Sequence, residues 1–164
     1  MNTMDLVMRT HDTVIFEGAQ GLLLDEQYGT MPYCTPSACG AENIAKCIKG
    51  HDDLYVELIY VTRGYLTRHG AGPLENEIRW PEEFEDKTNI FNDYQQHLRF
   101  APIKQNDIND LAFRILHDSQ HIQAKHKKVS LAVTWADKLQ HSYLSQQANY
   151  LSFCPTRNDV RFKK

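Results

Sequence analysis

All eight glycines of this 164-residue chain fall within its first 72 residues, and that placement limits the fold more than any other feature. Glycine stands where a backbone turns tightly or comes close to a ligand, so the loops that shape a site belong to the first half. Gly18 and Gly21 end the β-branched and aromatic run Thr13-Val14-Ile15-Phe16-Glu17, which reads as a buried strand opening into a glycine turn. Residues 26–37 hold Gly29, Pro32 and Pro36 and read as a loop. Ser37 then suits the N-cap of a helix over about 38–49, closed by Gly50. Leu54 to Leu66 reads as one long strand or two abutting strands, leaving through the glycine-rich Arg68-His69-Gly70-Ala71-Gly72-Pro73.

The second half has helices and strands but no glycine. Residues 74–106 are polar and proline-punctuated, an excursion with at most short strands or turns. From Asn106, the apolar residues Ile108, Leu111, Ala112, Ile115 and Leu116 recur at helical spacing and predict a helix to about Gln123. Lys125, Lys127 and Lys128 follow it, where positive charge suits the helix dipole. Val129–Trp135 reads as a strand, His141–Gln147 as a helical turn, Tyr150–Cys154 as a last strand, and Arg161–Lys164 as a solvated basic end. This alternation predicts an α/β fold, a mostly parallel central sheet flanked by helices, with ligands at the carboxyl ends of the strands. Residues 1–164 read as one domain, since 41% apolar residues at this length suffice for a core.

Composition excludes several classes. No stretch approaches the ~18 apolar residues of a membrane span, and the start of the chain lacks a signal-peptide core. The expectation is a soluble cytoplasmic protein without a membrane partner. Cys34, Cys39, Cys47 and Cys154 form no C-x-x-C pair, so four reduced thiols are expected. A net charge of -3 argues against a nucleic-acid binder while leaving room for a local phosphate pocket. His117 and His121 share a helix face but lack the glutamate of H-E-x-x-H, so no metal site is expected.

Two segments go beyond what propensity produces. Val14-Ile-Phe-Glu-Gly-Ala-Gln-Gly-Leu-Leu-Leu-Asp25, followed by Tyr28-Gly-Thr-Met-Pro-Tyr-Cys-Thr-Pro-Ser37, closely resembles the nucleotide-binding stretch of the adenylosuccinate synthetase family, F-E-G-A-Q-G-x-L-L-D and then H-G-T-x-P-Y-x-T-S-S. Thr67-Arg68-His69-Gly70-Ala71-Gly72-Pro73-Leu74-Glu75-Asn76-Glu77 is similar to its T-R-V-G-x-G-P-F-P-T-E, and Thr88-Asn89-x-x-Asn92-x-Tyr94-Gln95-x-x-Leu98-Arg99 to a T-N-x-x-N-x-Q-G-x-L-R form. Thr134-Trp-Ala-Asp137 and Ser152-Phe-Cys-Pro155-Thr-Arg157 echo T-K-L-D and S-T-G-P-x-R in the same order. The resemblance covers about residues 13–162 and falls on the family's second half.

On the residues alone, Gly18-Ala19-Gln20-Gly21 serves either as a tight turn with a capping glutamine or as a rim of N–H groups and one amide facing a purine or phosphate. The resemblance implies the second, placing Gln20, Gly21, Leu24, Thr35, Arg68 and His69 around a purine monophosphate. The family has an aliphatic residue where His69 stands. Arg99 has the fork that suits a carboxylate or phosphate, or is a solvated loop arginine. Asp137 either caps the segment that follows or accepts from N1–H and the 2-amino group of guanine. With Trp135, Ser152 and Pro155 it makes the guanine site that the resemblance implies. Trp135 takes the place of the family's lysine and offers a ring for stacking, while Cys154 replaces a glycine.

The family joins inosine monophosphate to aspartate at the expense of GTP with Mg²⁺, using an amino-terminal G-D-E-G-K-G-K phosphate loop, its Asp and a separate His. These 164 residues contain no G-x-x-x-x-G-K, and no catalytic residue is assigned. The resemblance implies the nucleotide-binding part of such a ligase, inactive alone, completed by a separate chain carrying the phosphate loop or associating with itself. The alternative is a non-catalytic nucleotide-binding or interaction module.

Overall fold

The computed structural model describes residues 3–51, 53–78, 93–94, 96–138, 142–153 and 156–162. Thr88, Asn89, Asn92 and Gln95 of the third motif, with Cys154 and Pro155 of the last, lie outside the described residues. Helix α1 (Thr3–Thr10) is followed by an irregular, loop-rich stretch, helix α2 (Glu42–Cys47) and the abutting strands β1 (Tyr55–Arg63) and β2 (Tyr65–Arg68). Then come β3 (Arg99–Pro102), α3 (Gln105–Ser119), β4 (His126–Thr134), α4 (Ser142–Gln147), β5 (Tyr150–Ser152) and β6 (Val160–Phe162).

Four strands form one sheet in the order β1-β4-β5-β6. Lys125 meets Asp53 at 3.7 Å, Lys128 meets Glu57 at 2.8 Å, and Thr134 Oγ1 donates to the Thr62 carbonyl at 3.2 Å. These contacts advance in the same direction along β1 and β4, so the two strands run parallel. β4 and β5 are parallel with Val133 opposite Leu151, and β6 returns antiparallel with Phe162 opposite Tyr150. The mostly parallel sheet flanked by helices expected from the alternation of elements is the one found. β2 and β3 form a separate antiparallel pair, extended by a bridge from Ile78 to Phe100. Among the described residues no helix is long and apolar enough to cross a membrane.

The chain divides into two compact units, Met1–Leu58 with Arg114–Lys128, and Ile59–Phe113 with Val129–Lys164. Each has its own apolar core. In the first, Ala41, Ile48 and Ile122 are buried against Phe16, Ile44, Val56 and Leu58. In the second, Ile103, Ile108, Val133, Leu144, Ala148 and Leu151 are buried together, with Leu66 and Leu131 packed on them. Burying one such side chain contributes roughly 1.5–3 kcal/mol, which explains why Ile108 on α3 and Val133 on β4 settle the register of their elements.

Several expectations change. The run Thr13–Glu17 is extended but unpaired: no strand among the described residues bonds to it, and Ile15 is 87% exposed. β-Branched residues favour an extended backbone, yet a ladder needs a neighbour. Ser37 does not cap α2, which begins five residues later behind Ala41. The amide of Ala41 itself is taken by a carboxylate from α3. Helix α3 stops at Ser119 rather than near Gln123, because the chain tightens there, Ile122 N donating to Ser119 O, and Ile122 is drawn into the first core at 2% exposure. Lys127 does serve that helix end, its ammonium donating to the carbonyls of Ser119 and Ile122 at 3.0 and 3.3 Å. The basic end is not merely solvated: Val160–Phe162 is a strand, and the Arg161 guanidinium lies 4.7 Å over the Phe153 ring.

Candidate functional site

In the first unit the glycine turn and the proline-rich loop are tied into one structure. Gly21 begins a 3-10 turn over Leu22–Leu24, closed by Leu24 N donating to Gly21 O at 2.9 Å. Thr35 N donates to Leu24 O at 2.7 Å and Glu26 N to Ser37 O at 3.3 Å, so the two arms run side by side. Asp25 holds them. Only 2% exposed, it accepts from Gln27 N at 2.7 Å with one oxygen and from Cys39 N at 2.5 Å with the other. Its carbonyl accepts from Gly29 N at 2.7 Å, and a Cβ on Gly29 would lie 2.6 Å from that same oxygen. Only glycine fits.

Gln20, directly before Gly21, has φ 65°, a left-handed conformation uncommon for a residue with a side chain. Its amide oxygen accepts from the Cys39 thiol at 3.4 Å. Burial pushes the Cys39 thiol above its ordinary pKa, so it stays protonated and able to donate. Gln20, Gly21, Leu24 and Thr35 are thus gathered on one loop.

Two further anchors escaped the sequence reading. Asp118, 1% exposed, accepts Ala41 N with both carboxylate oxygens at 3.0 and 2.9 Å, at the start of α2. A Cβ on Gly40 would overlap that carboxylate, 2.6 Å from its carbon. Tyr28 Oη shares a hydrogen bond with His117 Nδ1 at 2.9 Å, the rings meeting edge to face at 5.7 Å, and the Arg114 guanidinium donates to the Tyr28 carbonyl. Burial first, then the carboxylates of Asp118, Asp25 and Glu42, raise the Tyr28 pKa and keep the phenol neutral. Their sequence neighbours, Gln27 and Gly29 beside Tyr28 and His117 and Ser119 beside Asp118, gave no sign of either role.

In the second unit β2 and β3 place Arg68 opposite Arg99. Arg99 grips Glu77 with both arms, Nε to Oε1 at 3.0 Å and Nη2 to Oε2 at 2.6 Å, while Nη1 donates to the carbonyls of Gly70 and Gly72 at 2.9 Å each. Arg68 Nε donates to Ala71 O at 2.9 Å. All three carbonyls of the Gly70-Ala71-Gly72 loop are therefore held by arginine. Gly72 has φ 117°, and a Cβ there would lie 2.6 Å from the Arg68 guanidinium carbon. The hydrogen bonds from Arg99 hold the Glu77 carboxyl below its ordinary pKa and raise that of Arg99. His69 is exposed beside this loop.

Trp135 follows directly on β4 with φ 55°, and the Arg63 guanidinium lies 5.3 Å over its ring. Asp137, exposed, sits in the 3-10 turn Ala136–Lys138. Ser152 ends β5, half-buried, and Phe153 N donates to Asp159 O at 3.2 Å. Trp135 and Asp137 are thus brought to the end of one strand; Pro155 lies outside the described residues. Among the described residues no three His, Cys, Asp or Glu side chains converge on a metal position. A Mg²⁺ carried by a nucleotide would draw on single carboxylates at most.

Known proteins resemble this chain. A curated adenylosuccinate synthetase from Methylibium petroleiphilum is 40% identical over 84 residues, 48% of this chain and 19% of its own length. One from Clostridium botulinum is 39% identical over 71 residues, 43% of this chain and 17% of its own. The chain thus matches less than a fifth of the length of these relatives. Its fold is shared with the cyanophage S-2L succinoaminodeoxyadenylate synthetase PurZ, solved with dGMP and with dATP as an energy donor, at a TM-score of 0.56 and 16% identity, over 88% of this chain and 45% of PurZ. The sequence model of adenylosuccinate synthetase matches residues 1–140, and with that span the chain belongs to the adenylosuccinate synthetase family.

Proposed function

We propose that this chain is the purine-nucleotide-binding part of an adenylosuccinate-synthetase-like ligase of purine biosynthesis, working in the cytoplasm as one domain and completed by a separate chain that carries the phosphate loop. The observation that supports it is the first-unit loop: Gln20, exposed and in a left-handed conformation, adjoins arms locked by buried Asp25. A rigid loop of this kind presents an amide side chain and backbone N–H groups without an ordering cost at the moment of binding. In this reading Gln20, Gly21, Leu24 and Thr35 of the first unit meet the purine monophosphate. Arg99 keeps the Gly70-Ala71-Gly72 loop in shape and so acts as a positioning residue toward phosphate or aspartate. Asp137, Trp135, Ser152 and Pro155 meet the guanine of GTP, whose Mg²⁺ comes with its phosphates.

The chemistry puts the base-reading groups on this chain and the phosphate-transferring groups elsewhere. Phosphoryl transfer depends on positioning and charge neutralisation of the γ-phosphate, and the 164 residues hold no phosphate loop to do this. The second reading, a nucleotide-binding module without a catalytic partner, shares the same site and differs only in what the chain meets.

The test is calorimetric titration with inosine monophosphate, dGMP, GMP and GTP, repeated on Gln20→Ala. The variant removes a ligand hydrogen bond and little packing, so binding of the monophosphate should weaken by about 1–2 kcal/mol at unchanged melting temperature. Absence of purine monophosphate binding to the wild type would overturn the reading.

A further inference from the structure

The carboxyl end of β1 sets Arg63, which the family motifs leave unassigned, against Trp135 at the end of β4. Arg63 is the last residue of β1 and Trp135 the first after β4, on adjacent parallel strands. Gly64 N donates to Thr134 O at 3.0 Å and Thr134 Oγ1 to Thr62 O at 3.2 Å, so Thr134, next to Trp135, is bonded to the residues on either side of Arg63. The Arg63 guanidinium lies 5.3 Å over the Trp135 ring, and Nη1 donates to Thr67 Oγ1 at 2.7 Å. An exposed arginine is ordinarily mobile. Here the strand bonds, the ring and the hydroxyl fix its fork beside the turn that holds Asp137, at the end of a parallel sheet where ligands bind.

The chemistry of that pair suits one base. Guanine offers two acceptors, O6 and N7, on one edge and the donors N1–H and N2–H₂ on the other. An arginine fork donates to O6 and N7, and a carboxylate accepts from the donor edge. Adenine puts an amino group where guanine has O6, so donor would face donor. We propose that Arg63, held on Trp135, is a specificity-determining residue that donates to the O6/N7 edge of a guanine nucleotide. The proposal rests on the reading of Asp137 as the acceptor for the opposite edge. The indole supplies what a lone arginine lacks, a surface that orients the guanidinium plane before the base arrives.

The experiment compares binding of GTP and ATP to the whole chain and to Arg63→Met, Arg63→Lys and Asp137→Asn, with a melting curve for each. Arg63→Met keeps the stem packed on the ring and removes every donor. GTP affinity should fall about tenfold, ATP affinity should stay within a factor of about two, and Arg63→Lys should lie between. Asp137→Asn should weaken GTP independently. If Asp137→Asn discriminates against GTP while Arg63→Met binds GTP as the wild type does, the assignment of Arg63 is wrong and the Asp137 reading stands. If GTP does not bind the wild type, or Asp137→Asn leaves GTP affinity unchanged, the underlying guanine reading fails first. Equal loss of GTP and ATP binding in Arg63→Met, with a lower melting temperature, would make the arginine only a strand-end clamp and overturn the proposal.

Discussion

Arg99→Lys separates an arginine that shapes a loop from one that waits for a substrate. Arg99 makes four hydrogen bonds, two to Glu77 and one each to the carbonyls of Gly70 and Gly72. A buried charged hydrogen bond contributes about 1.5–3 kcal/mol, but the side chains of Arg99 and Glu77 are 25% and 41% exposed. Solvent screening reduces the ion pair to about 1 kcal/mol, and the two carbonyl bonds add about 1 kcal/mol each. Lysine keeps the charge and can reach one of these acceptors, so the substitution should cost about 2 kcal/mol. For a urea dependence of about 2 kcal/mol per molar, the unfolding midpoint moves down by about 1 M with unchanged slope. The effect should depend on pH. Because Arg99 depresses the folded-state pKa of Glu77 below its ordinary 4.5, its contribution is fully present above that value and is lost as pH falls through the lowered one. The gap between the midpoints of wild type and variant should therefore narrow as pH falls through the lowered Glu77 pKa, leaving the part that comes from the two carbonyl bonds. An unchanged midpoint at neutral pH, with loss of ligand binding alone, would refute the loop-clamp argument.

Gly40→Ala should push the Asp118 carboxylate off Ala41 N and leave a buried charge short of its partner, costing about 2–4 kcal/mol and lowering the melting temperature by about 10 °C; an unaltered melting curve would contradict the contact. Asp137→Asn swaps an acceptor pair for one acceptor and one donor, so GTP should lose roughly 1.5–3 kcal/mol of binding and ATP less. Equal losses would leave Asp137 as a cap of its turn. The chain alone, given inosine monophosphate, aspartate, GTP and Mg²⁺, should form no adenylosuccinate beyond a heat-killed control. Turnover by pure protein would show that its own arginines handle the phosphate.

What could be read from residue order was whatever depends on near neighbours. The 3.6-residue period from Ile108 to Leu116 marked α3, whose observed span is Gln105–Ser119. Gly64 divides the long apolar run into β1 and β2, as two abutting strands. Motif spacing placed Gln20, Gly21, Leu24 and Thr35 on a glycine loop, and they do share one, tied by bonds between residues no more than 19 positions apart. The family itself was legible in the same segments, because a short motif carries its identity wherever the chain goes.

Everything that needed a distant partner was decided by the tertiary structure. The amide of Ala41, the residue before α2, is held by Asp118, 77 positions away, and Ser37 does not cap the helix. Thr13–Glu17 has the composition of a strand but lacks one, since pairing depends on a neighbouring backbone. Arg99 looked open to a ligand until Glu77 and the Gly70-Ala71-Gly72 carbonyls were seen to take its donors, and nothing in the sequence brought Arg63 to Trp135. Propensity and turn chemistry act over a few residues. Ladders, buried carboxylate caps and guanidinium clamps join residues whose separation in sequence has no bearing on their separation in space, so they become definite only when the chain has folded.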